Sequence, residues 1–177
     1  TICLEAEKRS LAGASWMAGL PGQIGATVRM NARCYGGEIS KIVTKVTTLT
    51  KEGVFQSYNL QSNRKACFRG YKDTVFMESG DLVVLVELSL ASGNKKEIAD
   101  HMGACFRDRE KKGHFLYPSC GCVFKNDYSP QVALPAGMLI EACGLKGFTL
   151  GGAEVSSGHG NFIYNKGASS CDILMLS

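Results

Sequence analysis

The spacing of hydrophobic and polar positions changes along this chain, and the change divides it into two regions. From Ile42 to Leu60, branched and polar residues alternate through Val43-Thr44-Lys45-Val46-Thr47. After a polar break at Lys51-Glu52-Gly53, the pattern resumes in Val54-Phe55-Gln56-Ser57-Tyr58. Branched and aromatic side chains suit a pleated, half-buried surface, so this spacing predicts a hairpin. Asp81 to Leu90 is nearly continuous in Leu and Val, which predicts a strand buried on both faces. Closely set glycines make Gly19 to Ala26 a compact loop, and residues 36 to 90 read mostly as strands.

Beyond Ser92-Gly93-Asn94 the period lengthens to that of a helix. Asn94-Lys95-Lys96-Glu97 has the form of a capping box, and Ile98, Met102, Cys105 and Phe106 then fall at i, i+4, i+7 and i+8. This helix should end near Lys112-Gly113. Pro135 opens a second helix with Met138, Leu139, Ala142 and Cys143 on its apolar face, and Gly144 closes it. A glycine-rich loop (Gly147 to Gly152), a strand around Phe162-Ile163-Tyr164 and a short helix from Ser169 follow. The expected fold is α+β, with domains at residues 1–92 and 93–177.

Composition narrows the class. With 45% apolar and 20% charged residues among 177, the chain can bury a core, and disorder is excluded. Leu82 to Val86 is the longest aliphatic run, far short of the roughly 20 residues that a spanning helix needs. A net charge of +4 from scattered Lys and Arg offers no stripe for a phosphate backbone, so nucleic acid is not implied. The start, Thr1-Ile2-Cys3-Leu4-Glu5, has neither an initiator Met nor a signal-peptide pattern, and is expected to be cut from something longer. Eight cysteines in a chain large enough to fold without staples read as reduced thiols of a cytoplasmic protein. Glycine is the outlier, 21 residues or about 12% against a usual 7%.

Two clusters bear on chemistry. His101, Cys105, His114, Cys120 and Cys122 invite a zinc reading, but Cys120-Gly121-Cys122 has one intervening residue and no matching pair. No metal is expected. Cys105 reads as a helix-core residue, and His101 and His114 as solvated positions near the helix ends. The second cluster is Tyr117-Pro118-Ser119-Cys120-Gly121-Cys122-Val123-Phe124-Lys125-Asn126, which sets a thiol, an amine and a carboxamide close together. At a strand's period of two, Cys122, Phe124 and Asn126 share one face. From the residues alone, a turn into a strand with an ordinary surface Lys is the slightly favoured reading.

That segment resembles the Pro-Ser-Ala-Gly-Ser-Val-Phe-Lys-Asn signature of the bacterial UDP-N-acetylenolpyruvoylglucosamine reductases, flavoenzymes of peptidoglycan precursor synthesis. Leu20-Pro21-Gly22-Gln23-Ile24-Gly25 is similar to that family's flavin-contacting loop. Met30-Asn31-Ala32-Arg33-Cys34-Tyr35-Gly36 resembles its Met-Asn-Ala-Gly-Ala-Tyr-Gly, and Tyr71-Lys72-Asp73-Thr74-Val75-Phe76 its Tyr-Arg-Asp-Ser-x-Phe. Ala136 to Gly147, then Gly151-Gly152-Ala153-Glu154-Val155, resemble the helix and Gly-Gly loop of its substrate domain. The motifs run in the family's order over nearly the whole chain.

The resemblance implies FAD and NADPH as cofactors, with Leu20, Pro21, Gly22, Ile24, Gly25 and Asn31 on the flavin side. Residues 1–92 would be the second part of the FAD-binding domain and 93–177 most of the substrate-binding domain, of the loopless type, with family segments missing at both ends. Cys122 occupies the place of the proton-donor serine; a thiol releases a proton more readily than an alcohol. Lys72 occupies the place of the arginine that steadies the developing enolate, although an ammonium lacks the guanidinium fork. Arg69 is a nearby cation on the opposite strand face. Tyr71, Lys125 and Asn126 match substrate-side positions. The implied reaction reduces UDP-N-acetylglucosamine-enolpyruvate to UDP-N-acetylmuramate in a bacterial cytoplasm, by a protein without membrane or nucleic-acid partners and favoured as a monomer. A different class is a nucleotide-sugar-binding or structural piece that does not retain FAD.

Overall fold

Alternation at Val43–Leu49 builds the middle strand of the main sheet, where Val43, Val46 and Thr48 are wholly buried. The computed structural model describes residues 1–129, 132 and 134–177 and packs them as two units, Thr1–Cys105 and Phe106–Ser177. Their join falls inside the helix that follows the Ser92-Gly93-Asn94 turn. Along the first unit run α1 (Ile2–Lys8), β1 (Leu11–Ala12), α2 (Ile24–Arg29), β2 (Arg33–Cys34), β3 (Gly37–Glu38), β4 (Val43–Leu49), β5 (Phe55–Asn59) and α3 (Leu60–Cys67). They are followed by β6 (Phe68–Gly70), β7 (Asp73–Thr74), α4 (Val75–Glu78), β8 (Leu82–Leu88), β9 (Ala91–Ser92) and the start of α5 (Lys95–Lys111).

The expected hairpin is β4 against β5, antiparallel, with Lys45 opposite Asn59 and Leu49 opposite Phe55. β8 pairs with the other side of β4, giving the order β5-β4-β8. Trp16, Val28, Ile39, Leu60 and Phe76 join Val43 and Val46 in the core. Tyr58 and Phe68 meet the Phe76 ring edge-on at 5.2 and 5.9 Å. Burying a side chain of that size contributes about 1.5–3 kcal/mol.

Three expectations for this unit need correction. β8 is not buried on both faces: Val83, Val86 and Leu88 pack on the core, whereas Leu82, Val84 and Leu85 are exposed. Only the face bearing Val83, Val86 and Leu88 meets α2 and the core. Helices α3 and α4 interrupt the stretch read as strands. α3 forms because the Asn59 side chain accepts from Gln61 N at 3.0 Å, and its otherwise polar surface is anchored by Leu60 and Cys67. Ile24 begins a helix within the expected Gly19–Ala26 loop.

The reading of α5 holds in its cap and most of its face. Asn94 Oδ1 accepts from Lys96 N and Glu97 N, Ile98 and Cys105 are buried and Met102 is half-buried. Phe106 departs from that face: it is exposed and stacks on Phe115 at 4.9 Å.

In the second unit come α6 (Ala136–Ala142), β10 (Thr149–Leu150), β11 (Ala153–Val155), β12 (Ile163–Asn165) and α7 (Ser170–Leu176). β10, β11 and β12 form one antiparallel sheet in that order. Tyr164 is buried behind it and donates its hydroxyl to the Gly113 carbonyl at 2.7 Å. α7 starts in a complete capping box between Ser169 and Asp172. α6 starts after Pro135 as expected, yet Met138, Leu139, Ala142 and Cys143 are all exposed. No helix among the described residues is long and apolar enough to cross a membrane.

Candidate active site

The loop before α2 borders a cavity of about 380 Å³. Leu20, Gly22 and Ile24 line it together with Ile2, Met17 and Thr27. Gly22 has φ +105 and nothing within 4 Å of where a Cβ would stand, so the main chain is bare on that side. Pro21 is exposed beside it. Gly25 serves packing instead: a Cβ there would stand 3.2 Å from the Val83 carbonyl oxygen, so its absence lets α2 lie close against β8. Apolar walls, the polar Thr27 and an uncovered main chain fit a flat, partly apolar ring with backbone donors at its edge.

Asn31 has φ +42 at the end of α2 and is 3% exposed. Its Nδ2 donates to Glu38 Oε1 at 2.9 Å and to the Gly70 carbonyl at 3.1 Å, while its buried Oδ1 has no protein partner. An orphaned acceptor of that kind costs about 1–3 kcal/mol unless a ligand or water meets it. The Ser40 hydroxyl, against an opposing effect of burial, and then Asn31 hold the Glu38 carboxyl below the usual carboxylate range.

Asn31 thereby ties α2 to the turn carrying Tyr71 and Lys72. Lys72 is left-handed at φ +48, with its Nζ 5.6 Å from the Tyr71 ring centroid. The Arg33 guanidinium covers the same ring at 4.2 Å. Arg69 is otherwise engaged, at 2.8 Å from Asp73 and 2.7 Å from Glu78, and forms part of the local scaffold.

In the second unit Cys122 is exposed at the entrance to its segment, and the expected strand does not form. Cys122 makes an isolated antiparallel bridge to Phe162, and Val123 N donates to the Asn161 carbonyl at 2.9 Å. After that the Asn161 side chain replaces a neighbouring strand: Oδ1 accepts from Phe124 N and Nδ2 donates to the Phe124 carbonyl, both at 2.8 Å. Lys125 is exposed, and Asn126 accepts from Ala136 N at 3.0 Å and donates to the Tyr128 hydroxyl at 3.1 Å. A run without ladder pairing has no single face, so the shared face expected for Cys122, Phe124 and Asn126 is not established.

Of the two helix-end histidines, His101 is exposed as expected and His114 departs from expectation. His114 is half-buried, with its ring 4.3 Å from Phe162 and 5.8 Å from His159, and Nε2 is buried without a partner. Burial, then Arg109 and His159, push its pKa down to about 4. His101 is exposed, with Nδ1 2.7 Å from Ser15 Oγ and Nε2 3.8 Å from Cys105 Sγ. Motif reading does not reach Asn161, and it places His114 in solvent. Their signal was a polar pair flanking an apolar stretch, His159-Gly160-Asn161 before Phe162-Ile163-Tyr164 and a lone His after a helix.

Comparison with known proteins bears on both units. The family described as UDP-N-acetylenolpyruvoylglucosamine reductase, C-terminal domain, matches residues 112–177. A UDP-N-acetylenolpyruvoylglucosamine reductase of Borrelia garinii subsp. bavariensis is 42% identical over 176 residues, 99% of this chain and 56% of the relative. One from Lactobacillus acidophilus is 41% identical over 172 residues, 97% of this chain and 55% of the relative. The crystal structure of UDP-N-acetylenolpyruvylglucosamine reductase from Thermus caldophilus superposes with a TM-score of 0.80 at 34% identity, covering 99% of this chain and 62% of that one. The chain spans just over half the length of these curated relatives.

Proposed function

The chain belongs to the UDP-N-acetylenolpyruvoylglucosamine reductase family, and on that premise we propose that its residues serve a reductase converting UDP-N-acetylglucosamine-enolpyruvate to UDP-N-acetylmuramate. The setting is peptidoglycan precursor synthesis in a bacterial cytoplasm, with FAD and NADPH as cofactors. Residues 1–92 act as the later part of the FAD-binding domain and 93–177 as most of the substrate-binding domain.

The observation that carries the proposal is the cavity bordered by Leu20, Gly22 and Ile24 beside an uncovered main chain. Leu20 and Ile24 would hold the flavin by apolar contact and Pro21 and Gly22 by an open approach to the backbone, while Gly25 seats this loop by letting α2 lie close to β8. The orphaned Asn31 Oδ1 would take a donor from the bound group. The chemistry supplied by bound FAD is hydride transfer from NADPH to the enolpyruvyl C3.

The chain's own residues handle charge and proton. Addition at C3 leaves an electron pair at C2 that spreads into the neighbouring carboxylate, and the Lys72 ammonium is the group assigned to that charge. The Cys122 thiol gives its proton to C2, completing the saturated product. Tyr71, whose ring has the Arg33 guanidinium 4.2 Å over it and the Lys72 Nζ at 5.6 Å, is assigned to the substrate side. Lys125 reaches the phosphates of the nucleotide sugar, and Asn126 orients that end of the segment.

An absorbance scan of the purified protein tests the reading. An oxidised-flavin band that bleaches on adding NADPH is expected, with colour returning when enolpyruvyl substrate is added. Protein that takes up no flavin from solution overturns it for this chain.

A further inference from the structure

We infer that Asn161 is a positioning residue: its carboxamide stands in for a missing β-strand and sets the register of Cys122 to Phe124, and with it the place of the Cys122 thiol. Naming that thiol as proton donor rests on the proposed reaction; the clasp itself rests on geometry alone.

An extended segment away from a sheet must find partners for its N–H and C=O groups. Across Val123 and Phe124 one residue supplies them. The Asn161 carbonyl takes Val123 N, its Oδ1 takes Phe124 N, and its Nδ2 meets the Phe124 carbonyl. A carboxamide carries an acceptor oxygen and, pointing the same way, one of its two N–H donors, so it can pair with both the N–H and the C=O of Phe124 as a residue of a neighbouring strand would. Asp lacks the donor and Leu lacks both groups. At 4% exposure, Asn161 also keeps these bonds away from competing water.

The clasp is braced from behind. Asn161 N donates to His159 Nδ1 at 3.2 Å, and Ser156 Oγ, wholly buried, accepts from Gly158 N and His159 N at 3.1 Å each. Gly160 lies so near the Gly137 carbonyl that any Cβ would run into it, which seats the turn on the first residues of α6. Asn126 ties the other end of the segment to the same place through Ala136 N. Cys122 to Asn126 is thus fixed at both ends against one helix start. Slippage by one residue would move Cys122 off its bridge to Phe162 and displace its thiol.

Thiol chemistry reads this position without reference to catalysis. The purified protein and its Asn161→Asp variant are alkylated with iodoacetamide, and each cysteine peptide is followed by mass spectrometry. The Cys122 rate is expected to change roughly three- to tenfold in the variant, the factor by which one lost hydrogen bond shifts the population of the held position. Cys143 and Cys171, exposed in the same unit, should keep their rates. An unchanged Cys122 rate, or an equal change at all three thiols, overturns the inference. Hydrogen exchange on the unmodified protein covers a variant that fails to fold. The Phe124 amide should be protected like that of Val155 in β11, and exchange at an unstructured rate overturns the clasp. A colourless protein with a protected Phe124 amide would sink the reductase reading and leave Asn161 in place; flavin with an unprotected amide would do the reverse.

Discussion

Arg33 lies 4.2 Å over the ring of Tyr71 and fixes that side of the turn in which Lys72 is left-handed at φ +48. A side chain other than glycine in that conformation costs about 1–2 kcal/mol. The strain sits at the cation assigned to enolate charge, so stability and activity should respond oppositely. Lys72→Gly is expected to raise the melting temperature by relieving about 1 kcal/mol and to lower turnover roughly a hundredfold through loss of a charge-stabilising group. Thermal melts and steady-state assays check the two halves separately. A lower melting temperature would mean that the contacts of Lys72 outweigh its strain.

Cys122 supports a sharper division of labour. Cys122→Ala should abolish reduction of the enolpyruvyl substrate while NADPH still bleaches the flavin, because only protonation at C2 is lost. Cys122→Ser keeps a proton-bearing group on the same bridge to Phe162 and should retain measurable turnover. Single-turnover traces of the two half-reactions separate these outcomes. Unchanged turnover in the Ala variant would remove Cys122 from the mechanism.

The eight cysteines divide by burial, which a labelling experiment can count. Cys120, Cys122, Cys143 and Cys171 are exposed, Cys3, Cys67 and Cys105 are buried, and Cys34 lies between, half-buried with its Sγ 3.4 Å from the Trp16 carbonyl. Burial also raises the Cys67 pKa, further reducing its thiolate fraction. Four thiols are expected to react rapidly with an aromatic disulfide in native buffer, and the three buried ones only after denaturant. Rapid loss of the Cys105 thiol would contradict the packing of α5.

Some of this architecture was legible because local pattern and tertiary environment agreed. Val43 and Val46 alternate with polar residues and lie in a middle strand; Asn94 stands where α5 needs an acceptor. Agreement failed where a residue's partner was remote. The Leu/Val run of β8 carries no mark that only one of its faces is packed, and two buried residues at i and i+7 are too few to announce α3. At the candidate site, the motif containing Cys122 and Lys125 could be recognised, but the device holding it could not. Asn161 acts as a strand through its side chain, and no periodicity encodes that. A single histidine after a charged helix reads as solvated, because nothing in the sequence signals the Phe162 ring 4.3 Å from it.

That burial of His114 leads to a pH dependence whose direction can be worked out. Burial is the main cause that pushes its pKa down to about 4, aided by Arg109, His159 and Lys112 and opposed by Asp108. His159 is lowered in the same way, burial first, with Lys112 and Lys146 adding to it and its backbone hydrogen bond and Glu141 opposing. Unfolded histidine titrates near 6.5, so as pH falls from about 6.5 towards 4 the unfolded chain takes up protons that the folded unit refuses. Stability from these rings is therefore full above about pH 6.5 and is lost progressively towards pH 4. Asp172, held low first by its backbone bond from Ser169, contributes above its ordinary range and loses that contribution only near and below about pH 4. The two sources thus separate by pH. Urea midpoints of the protein are expected to fall between pH 7.5 and 5, and His114→Phe, which keeps an aromatic ring against Phe162, should fall less over the same interval. Parallel slopes for the two proteins would assign the acid sensitivity to groups other than His114.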